Sequence, residues 1–262
     1  MKMKEFKEPY YLVDFNSAIC NFEIYINDMP AFIHKEGGSI ASHYPINHFI
    51  LESGKQEIKI RVLPTKNNAR LGDDTFLKIK VFYYDSSTTN YENTFEAFKY
   101  ETPDFKDKNI PSIEIVSSFD TEVPYKLIGW KSSVTFKDIK NKDEIIKFYK
   151  SIYDLFKNEN INELINLQTI KFHEVDTSMY LVEDNKKELS SLLSKLKKEQ
   201  FVLQQFPSSV NMQFFGYGKV LNIVGENNLP VIYYRNEKTN DEFSFPILIH
   251  KKAESNSFEI IR

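Results

Sequence analysis

The spacing of apolar residues along the chain changes near Asn141. Before it, apolar positions mostly alternate with polar ones, as in Ile58, Ile60 and Val62. After it, a stripe at helical spacing runs from Phe148 to Phe156, and short alternating runs then return. A period of two is typical of half-buried strands and a period of 3.6 of amphipathic helices. The sequence therefore predicts two domains of different class, residues 1–138 and 139–262.

Composition supports a folded chain with many strands. The chain has 262 residues, of which 41% are hydrophobic and 15% aromatic. A chain of this length buries a core without needing a disulfide or a metal, and flat rings favour pleated sheets. Cys20 is the only cysteine, and we expect a buried, inert thiol in a strand. The only tryptophan, Trp130, is expected in a core or a domain interface, the alternative being a ligand-stacking platform.

The first segment, 1–138, is predicted to be an all-β sandwich. Alternating runs such as 21–27, 56–62 and 77–83, and a weaker strand candidate at Phe49–Leu51, are separated by turn residues. Among these are Asn27-Asp28 and Ser53-Gly54, of which the second predicts a hairpin. The stretch from Ile46 to Pro64, with its turn and its alternating exit strand, resembles an immunoglobulin-like domain. The resemblance covers residues 10–137 and lacks the paired cysteines of antibody domains. It implies a sandwich of two antiparallel sheets, an architecture that hosts many functions.

The second segment, 139–262, is predicted to be an α+β domain with three helices followed by short antiparallel strands. Asn141 with Glu144, and Asn160 with Glu163, have the spacing of helix-capping pairs. The first pair is expected to open a helix to Lys157 and the second a shorter helix. A third helix is predicted over 177–198, followed by strands to residue 261.

The first of these helices carries the sequence FYKSIYDLF at Phe148 to Phe156. An aromatic helix of this pattern, followed by a short link and a second helix, resembles the nuclear-transport-factor-2-like (cystatin-like, cone) superfamily. The resemblance covers residues 140–262. It implies helices packed on a curved antiparallel sheet that encloses a pocket. Some members of that superfamily catalyse isomerisation or dehydration there, and many only bind partners.

Six polar-tipped side chains are predicted to lie on the walls of that pocket. A set of hydroxyl, imidazole and amide groups could bind a small apolar ligand or polarise a carbonyl. The alternative is a filled core whose hydroxyls reach solvent. The apolar stripe of the first helix holds no acidic residue, which weakens a general-base role, so no catalytic residue is predicted. The candidate ligand-binding residues are Tyr149, Tyr153, His173, Tyr180, Gln213 and Tyr233.

Charge and motifs exclude several classes of function. The formal net charge is -3, without the basic excess that nucleic-acid binding requires. Walker, nucleophile-elbow, zinc-protease and paired-cysteine motifs are absent from the sequence, and no cofactor is predicted. His34, His43 and His48 are close in sequence, but opposite strand faces and few carboxylates argue against a metal. No apolar run is long enough for a membrane span. A cytoplasmic location is expected, the alternative being an exported form whose leader has been removed.

Three functions remain open from the sequence. The first is a non-enzymatic bacterial protein that binds another protein, for instance an immunity or accessory factor of an interbacterial toxin system. Usage rich in Lys, Asn, Ile and Phe fits an AT-rich bacterial genome. The second is a small-molecule binder or enzyme that uses the C-terminal pocket. The third is a glycan-binding module in the first domain, with stacking rings from Tyr10, Tyr11, Tyr83, Tyr84 or Trp130.

Overall fold

The chain folds into two compact units. The computed structural model describes residues 6–88, 93–138, 142–255 and 257–262. Unit 1 comprises Met1–Leu127 with Ser178–Tyr180, and unit 2 comprises Ile128–Thr177 with Leu181–Arg262. Residues 128–138 therefore lie in unit 2, although the sequence pattern placed them in the first domain. Phe136, for example, belongs to the hydrophobic core of unit 2.

Unit 1 is built from eight described strands in two antiparallel sheets. One sheet has the order β4-β1-β6-β7 and the other β3-β2-β5-β8. The strands are β1 Pro9–Ala18, β2 Asn21–Ile26, β3 Met29–His34, β4 Ile40–Pro45, β5 Gly54–Leu63, β6 Phe76–Asp85, β7 Phe95–Glu101 and β8 Ile113–Thr121.

The core of unit 1 joins the two sheets through aromatic rings. Phe15 of β1 packs against Phe22 of β2 at 5.5 Å between ring centroids and against Phe32 of β3 at 4.1 Å. The alternation predicted for β5 is confirmed, because Ile58, Ile60 and Val62 are fully buried. Alternate side chains of a strand point to one face, so this face closes the core.

Three local expectations for unit 1 differ in outcome. Asn27 and Asp28 both have positive φ, 52° and 60°, and form the tight turn between β2 and β3 as predicted. Phe49–Leu51 was expected to be a strand leading into a hairpin. Instead, Asn47–Phe49 form a short 3₁₀ helix, because the Asn47 side chain binds the backbone of β1. Cys20 is buried as expected, but it lies between β1 and β2 rather than within a strand.

Unit 2 contains four described helices and seven short strands. One sheet has the order β10-β11-β14-β15 and the other β13-β12-β9, and every described pairing is antiparallel. The elements are α1 Lys142–Lys157, α2 Ile161–Leu167, α3 Thr169–Met179, α4 Asn185–Lys198, β9 Val202–Leu203, β10 Asn211–Phe215, β11 Val220–Val224, β12 Tyr233–Arg235, β13 Glu242–Ser244, β14 Ile249–Lys251 and β15 Phe258–Ile260.

The helix count corrects the prediction of three helices. The sequence joined 177–198 into one helix, whereas α4 begins at Asn185, where the Asp184 side chain accepts a hydrogen bond from the Lys187 N–H. Helix α3 was missed because its sequence, TIKFHEVDTSM, has no continuous apolar stripe. The cap of α2 is confirmed, since Asn160 accepts from the Glu163 N–H. The Asn141 cap lies outside the described residues.

Helix α1 covers the core of unit 2. Its stripe buries Ile145, Tyr149, Ile152 and Phe156 in a cluster that includes residues of β11, β14 and β15. The helical spacing predicted for this segment is thus confirmed. No helix among the described residues is long and apolar enough to cross a bilayer.

Candidate binding surfaces

The six residues predicted as a ligand set do not share one surface. Tyr149 is fully buried, with its hydroxyl 2.7 Å from the Ile247 carbonyl oxygen and 3.1 Å from that of Leu221. Burial raises the pKa of Tyr149 well above its ordinary value. Both carbonyls belong to the core beneath α1, so this hydroxyl is engaged by backbone.

The other five lie at separate places. His173 is exposed on α3, and Gln213 in β10 accepts a hydrogen bond from the Asn222 amide. Tyr180 belongs to unit 1, where its hydroxyl donates to the Pro9 carbonyl at 3.2 Å. Tyr233 lines a groove of about 320 Å³ beside Pro207 and Gly225, and Tyr153 lines another groove. The positions of these side chains depend on burial and strand pairing. The spacing of residues in the sequence therefore could not show whether they share one pocket.

The groove that holds Tyr153 is the larger of these two, at about 460 Å³. It lies between α1, α4, β9 and β12, and its walls are mainly apolar and aromatic. Burial, and then the nearby Glu159 and Tyr153, raise the pKa of Tyr234 to about 12, so its hydroxyl stays protonated at neutral pH. The lining residues are Tyr153, Phe156, Lys157, Glu159, Leu193, Lys197, Phe201, Val202, Leu203, Gln205 and Tyr234.

A second surface is the free edge of strand β4 in unit 1. Ala41, Ser42, His43 and Tyr44 are consecutive exposed residues, and β4 is the end strand of its sheet. The strand has the sequence IASHYP and carries no lysine, arginine, aspartate or glutamate. Edge strands are normally protected by charge, proline or a bulge, because unpaired peptide groups invite another strand.

The other edges of unit 1 carry such protection. β7 holds Glu96, Lys99 and Glu101 in its seven residues. β8 holds Glu114 and Asp120. β3 contains Pro30, and its pairing with β2 shifts register between Ile24 and Tyr25. β8 nevertheless has an uncharged central stretch at 115–119, and β4 itself ends in Pro45. Among the described end strands of unit 1, only β4 combines the absence of charged side chains with four consecutive exposed residues.

The hydrogen-bond pattern shows which peptide groups of β4 face outward. The Ile46 N–H donates to the Tyr11 carbonyl at 3.0 Å. In an antiparallel pair, inward and outward residues alternate, so every second residue before Ile46 also faces β1. Ala41 and His43 fall between those residues, and their N–H and C=O groups point away from the sheet. The edge therefore offers two donors and two acceptors to another strand.

A third feature is a chain of buried polar side chains in unit 2. Ser133 Oγ lies 2.7 Å from His250 Nδ1, and His250 Nε2 lies 3.6 Å from Glu259 Oε2. Burial lowers the pKa of His250, while the neighbouring Glu259 opposes that shift. Lys252 pairs with the other oxygen of Glu259 at 2.9 Å. Because Ser133 and His250 are both buried, these polar contacts stabilise the interior of unit 2.

Close to it in unit 2 is a buried ion pair. Glu174 Oε2 lies 2.9 Å from Arg262 Nη1, and Glu174 Oε1 accepts the N–H groups of Ile128 and Gly129. The guanidinium of Arg262 lies 5.4 Å from the Trp130 ring centroid. Trp130 is thus buried, as expected, under a cation rather than exposed to a ligand.

Trp130 also explains why residue 216 is a glycine. Gly216 has φ +56°, and a Cβ there would stand 2.8 Å from Cδ1 and Nε1 of Trp130. Any side chain would therefore displace the indole, and the left-handed backbone would add strain. The sequence holds no sign of this close approach.

Remaining sequence candidates have the following positions. Tyr11 is fully buried and stacks on Tyr83 at 4.8 Å between ring centroids. His34 is buried in β3, whereas His43 is exposed on β4. Within the described ranges, no group of three or more histidine, cysteine or acidic side chains is close enough to hold a metal ion. Burial raises the pKa of the Cys20 thiol to about 11, which disfavours the reactive thiolate.

No family model, curated protein or solved structure matches this chain.

Proposed function

We propose that this chain is a non-enzymatic protein-interaction protein that captures an extended segment of another polypeptide along the edge of β4. The observation that carries the proposal is that β4 is an end strand with no charged side chain and four consecutive exposed residues, a combination that the other described end strands of unit 1 lack. Strand addition uses main-chain hydrogen bonds for affinity and neighbouring side chains for specificity. Ala41 and His43 supply the main-chain groups.

The side chains beside β4 suit a partner strand with apolar residues. Tyr44 of β4 is 37% exposed. The Tyr44 ring lies 6.2 Å from that of Phe32 and 6.1 Å from that of His48. An uncharged strand edge with an exposed aromatic ring favours apolar or aromatic contacts over ion pairs.

In its narrower form, the proposal makes the chain an immunity or accessory factor of an interbacterial toxin system, acting in the cytoplasm. That form rests on the motif-free sequence, the net charge of -3 and the composition rich in Lys, Asn, Ile and Phe. The expected partner is then the product of a neighbouring gene, bound in a stoichiometric complex.

The test is co-expression of the chain with each neighbouring gene product, followed by size-exclusion chromatography. We expect one complex of about equal stoichiometry, and we expect Ala41→Pro to weaken it. The outward Ala41 N–H is lost in this variant while the pairing with β1 is retained, so the dissociation constant should rise about fivefold or more. Ala41→Ser, which keeps the N–H, is the matched control. A complex that Ala41→Pro leaves intact would refute the β4 assignment, and the absence of any complex would refute the narrower form.

We further propose the two fold resemblances in their specific forms. The two four-stranded sheets of unit 1 and their shared ring contacts support an immunoglobulin-like sandwich. The aromatic helix α1, packed over strands of unit 2, supports a cone-like domain, although those strands are divided between two sheets. An experimental structure in which the sheets of unit 1 do not face each other, or in which α1 leaves its sheet uncovered, would refute these assignments.

A further inference from the structure

We infer that the groove between α1, α4, β9 and β12 in unit 2 binds an amphipathic carboxylate, meaning a molecule with one carboxylate and an alkyl tail. This inference is independent of strand capture at β4, because it concerns different residues in the other unit. The volume of about 460 Å³ falls within the range of small-molecule sites.

The walls of the groove suit the tail. Phe156 and Phe201 contribute rings, and Leu193 and Leu203 contribute aliphatic surface. Val202 is 57% exposed, so apolar surface is left open to water at this place. A tail that covers such surface gains free energy in proportion to the apolar area removed from solvent.

The rim suits an anionic head. Lys197 Nζ pairs with Glu159 Oε1 at 2.9 Å, so these two charges largely compensate each other. Lys157 lines the same groove and, within the described part of the chain, has no acidic partner within salt-bridge distance. The charged lining residues Lys157, Lys197 and Glu159 therefore sum to one positive charge, which favours a carboxylate over a cationic head.

Two neutral donors add to this preference. The Gln204 N–H donates to the Tyr233 carbonyl at 2.9 Å, so the adjacent Leu203 N–H faces away from β12. β9 is the end strand of its sheet, which leaves that N–H at the open margin beside the groove. The Tyr234 hydroxyl, protonated at neutral pH, also lines the groove. Both groups can donate to a carboxylate oxygen.

The experiment is calorimetric titration of the full chain with decanoate below its micelle concentration, beside decyltrimethylammonium as a probe with the same tail and the opposite charge. We expect saturable binding of about one decanoate per chain and binding of the ammonium at least about tenfold weaker. Absence of saturable decanoate binding, or equal affinity for both probes, would overturn the inference.

Variants locate the site. Val202→Asp adds a charge at an already exposed position and should weaken decanoate binding at least about tenfold. Lys157→Gln should weaken it about fivefold, while Lys147→Gln, an exposed change on the same helix outside the groove, should leave it unchanged. Decanoate binding that is unaffected by Val202→Asp, in a variant whose circular dichroism matches the parent, would place the ligand elsewhere and overturn the inference.

Discussion

Each unit contains a glutamate–arginine pair of nearly the same length in different surroundings. In unit 1, Arg61 and Glu23 lie 2.8 Å apart with side chains 40% and 11% exposed, and Arg61 also pairs with Glu114 at 3.3 Å. In unit 2, Glu174 and Arg262 lie 2.9 Å apart, and their side chains are only 5% and 3% exposed. Distance alone would rank the two pairs as equal, whereas burial makes the loss of one partner far more costly in unit 2.

The difference extends to the other buried polar groups. In unit 1 the most buried amides are neutral: Asn47 binds backbone of β1, and Gln56 donates to Thr121 and accepts from Asn27. Each interior also holds a histidine, His34 in unit 1 and His250 in unit 2, and burial lowers the pKa of His250. We therefore expect the stability of unit 2 to respond to single charge changes and to pH more strongly than that of unit 1.

The largest effect is expected from Glu174→Ala. It leaves the Arg262 charge without its buried carboxylate and two backbone N–H groups without an acceptor, so unit 2 should lose about 3–5 kcal/mol of unfolding free energy. Trp130 is the only tryptophan and lies in unit 2, so its fluorescence during urea unfolding reports this unit. The matched control, Glu23→Ala, should lower the unfolding free energy of unit 1 by about 1 kcal/mol. Hydrogen exchange would measure this loss. Equal losses of unfolding free energy in the two variants would refute the expected difference between the two ion pairs.

Asn47→Ala should give the next largest loss, in unit 1. Asn47 Oδ1 accepts the Tyr11 N–H at 2.6 Å and Nδ2 donates to the Pro9 carbonyl at 2.9 Å. Two buried backbone groups lose their partners, at a cost of about 2–4 kcal/mol. Faster amide exchange in peptides of β1 would show the loss. Asn68→Ala, at an exposed turn, is the control, and a comparable effect there would refute the special role of Asn47.

Lys171→Met should stabilise unit 2. Burial, and then the charge of Arg262, lower the pKa of Lys171 to about 8. A folded-state pKa below the unfolded value near 10.4 means that protonation costs stability as the pH falls through this interval. A methionine avoids that cost, and we expect a gain of about 1–2 kcal/mol at pH 7 that shrinks as the pH rises towards about 10. A loss of stability in Trp130-monitored unfolding at pH 7 would contradict this account.

The smallest effect is a pH dependence from His250. Its folded-state pKa is lowered, so its contribution is complete above the unfolded value near 6.5 and is lost as the pH falls through the folded value. The charged groups that act on its ring are Glu259, Lys252 and Glu174. Unit 2 should therefore be less stable at about pH 5.5 than at about pH 7.5 in urea unfolding. His250→Gln should reduce that difference, and an unchanged pH dependence in this variant would exclude His250 as the cause.

The sequence patterns predicted the elements whose two faces differ. β5 alternates because one face is buried, and α1 shows a stripe because one side meets the core. β1 was not predicted, because its run from Tyr11 to Val13 is buried at every position and shows no alternation. Of the candidate ligand residues, only Tyr153 lies in the groove proposed as a ligand site, and its neighbour Tyr234 was not singled out.

Local sequence patterns determined the mixed fold class, the turn at Asn27-Asp28 and the cap at Asn160. The sequence also shows directly that it contains no recognisable catalytic motif. These features depend on residues within a few positions of each other, so spacing is enough to predict them. Tertiary structure alone decided the Glu174–Arg262 pair, the close approach of Gly216 to Trp130 and the free edge of β4. The first two depend on contacts between residues distant in the chain, and the third depends on which strands pair within the sheet. Burial then sets the energy of the ion pair.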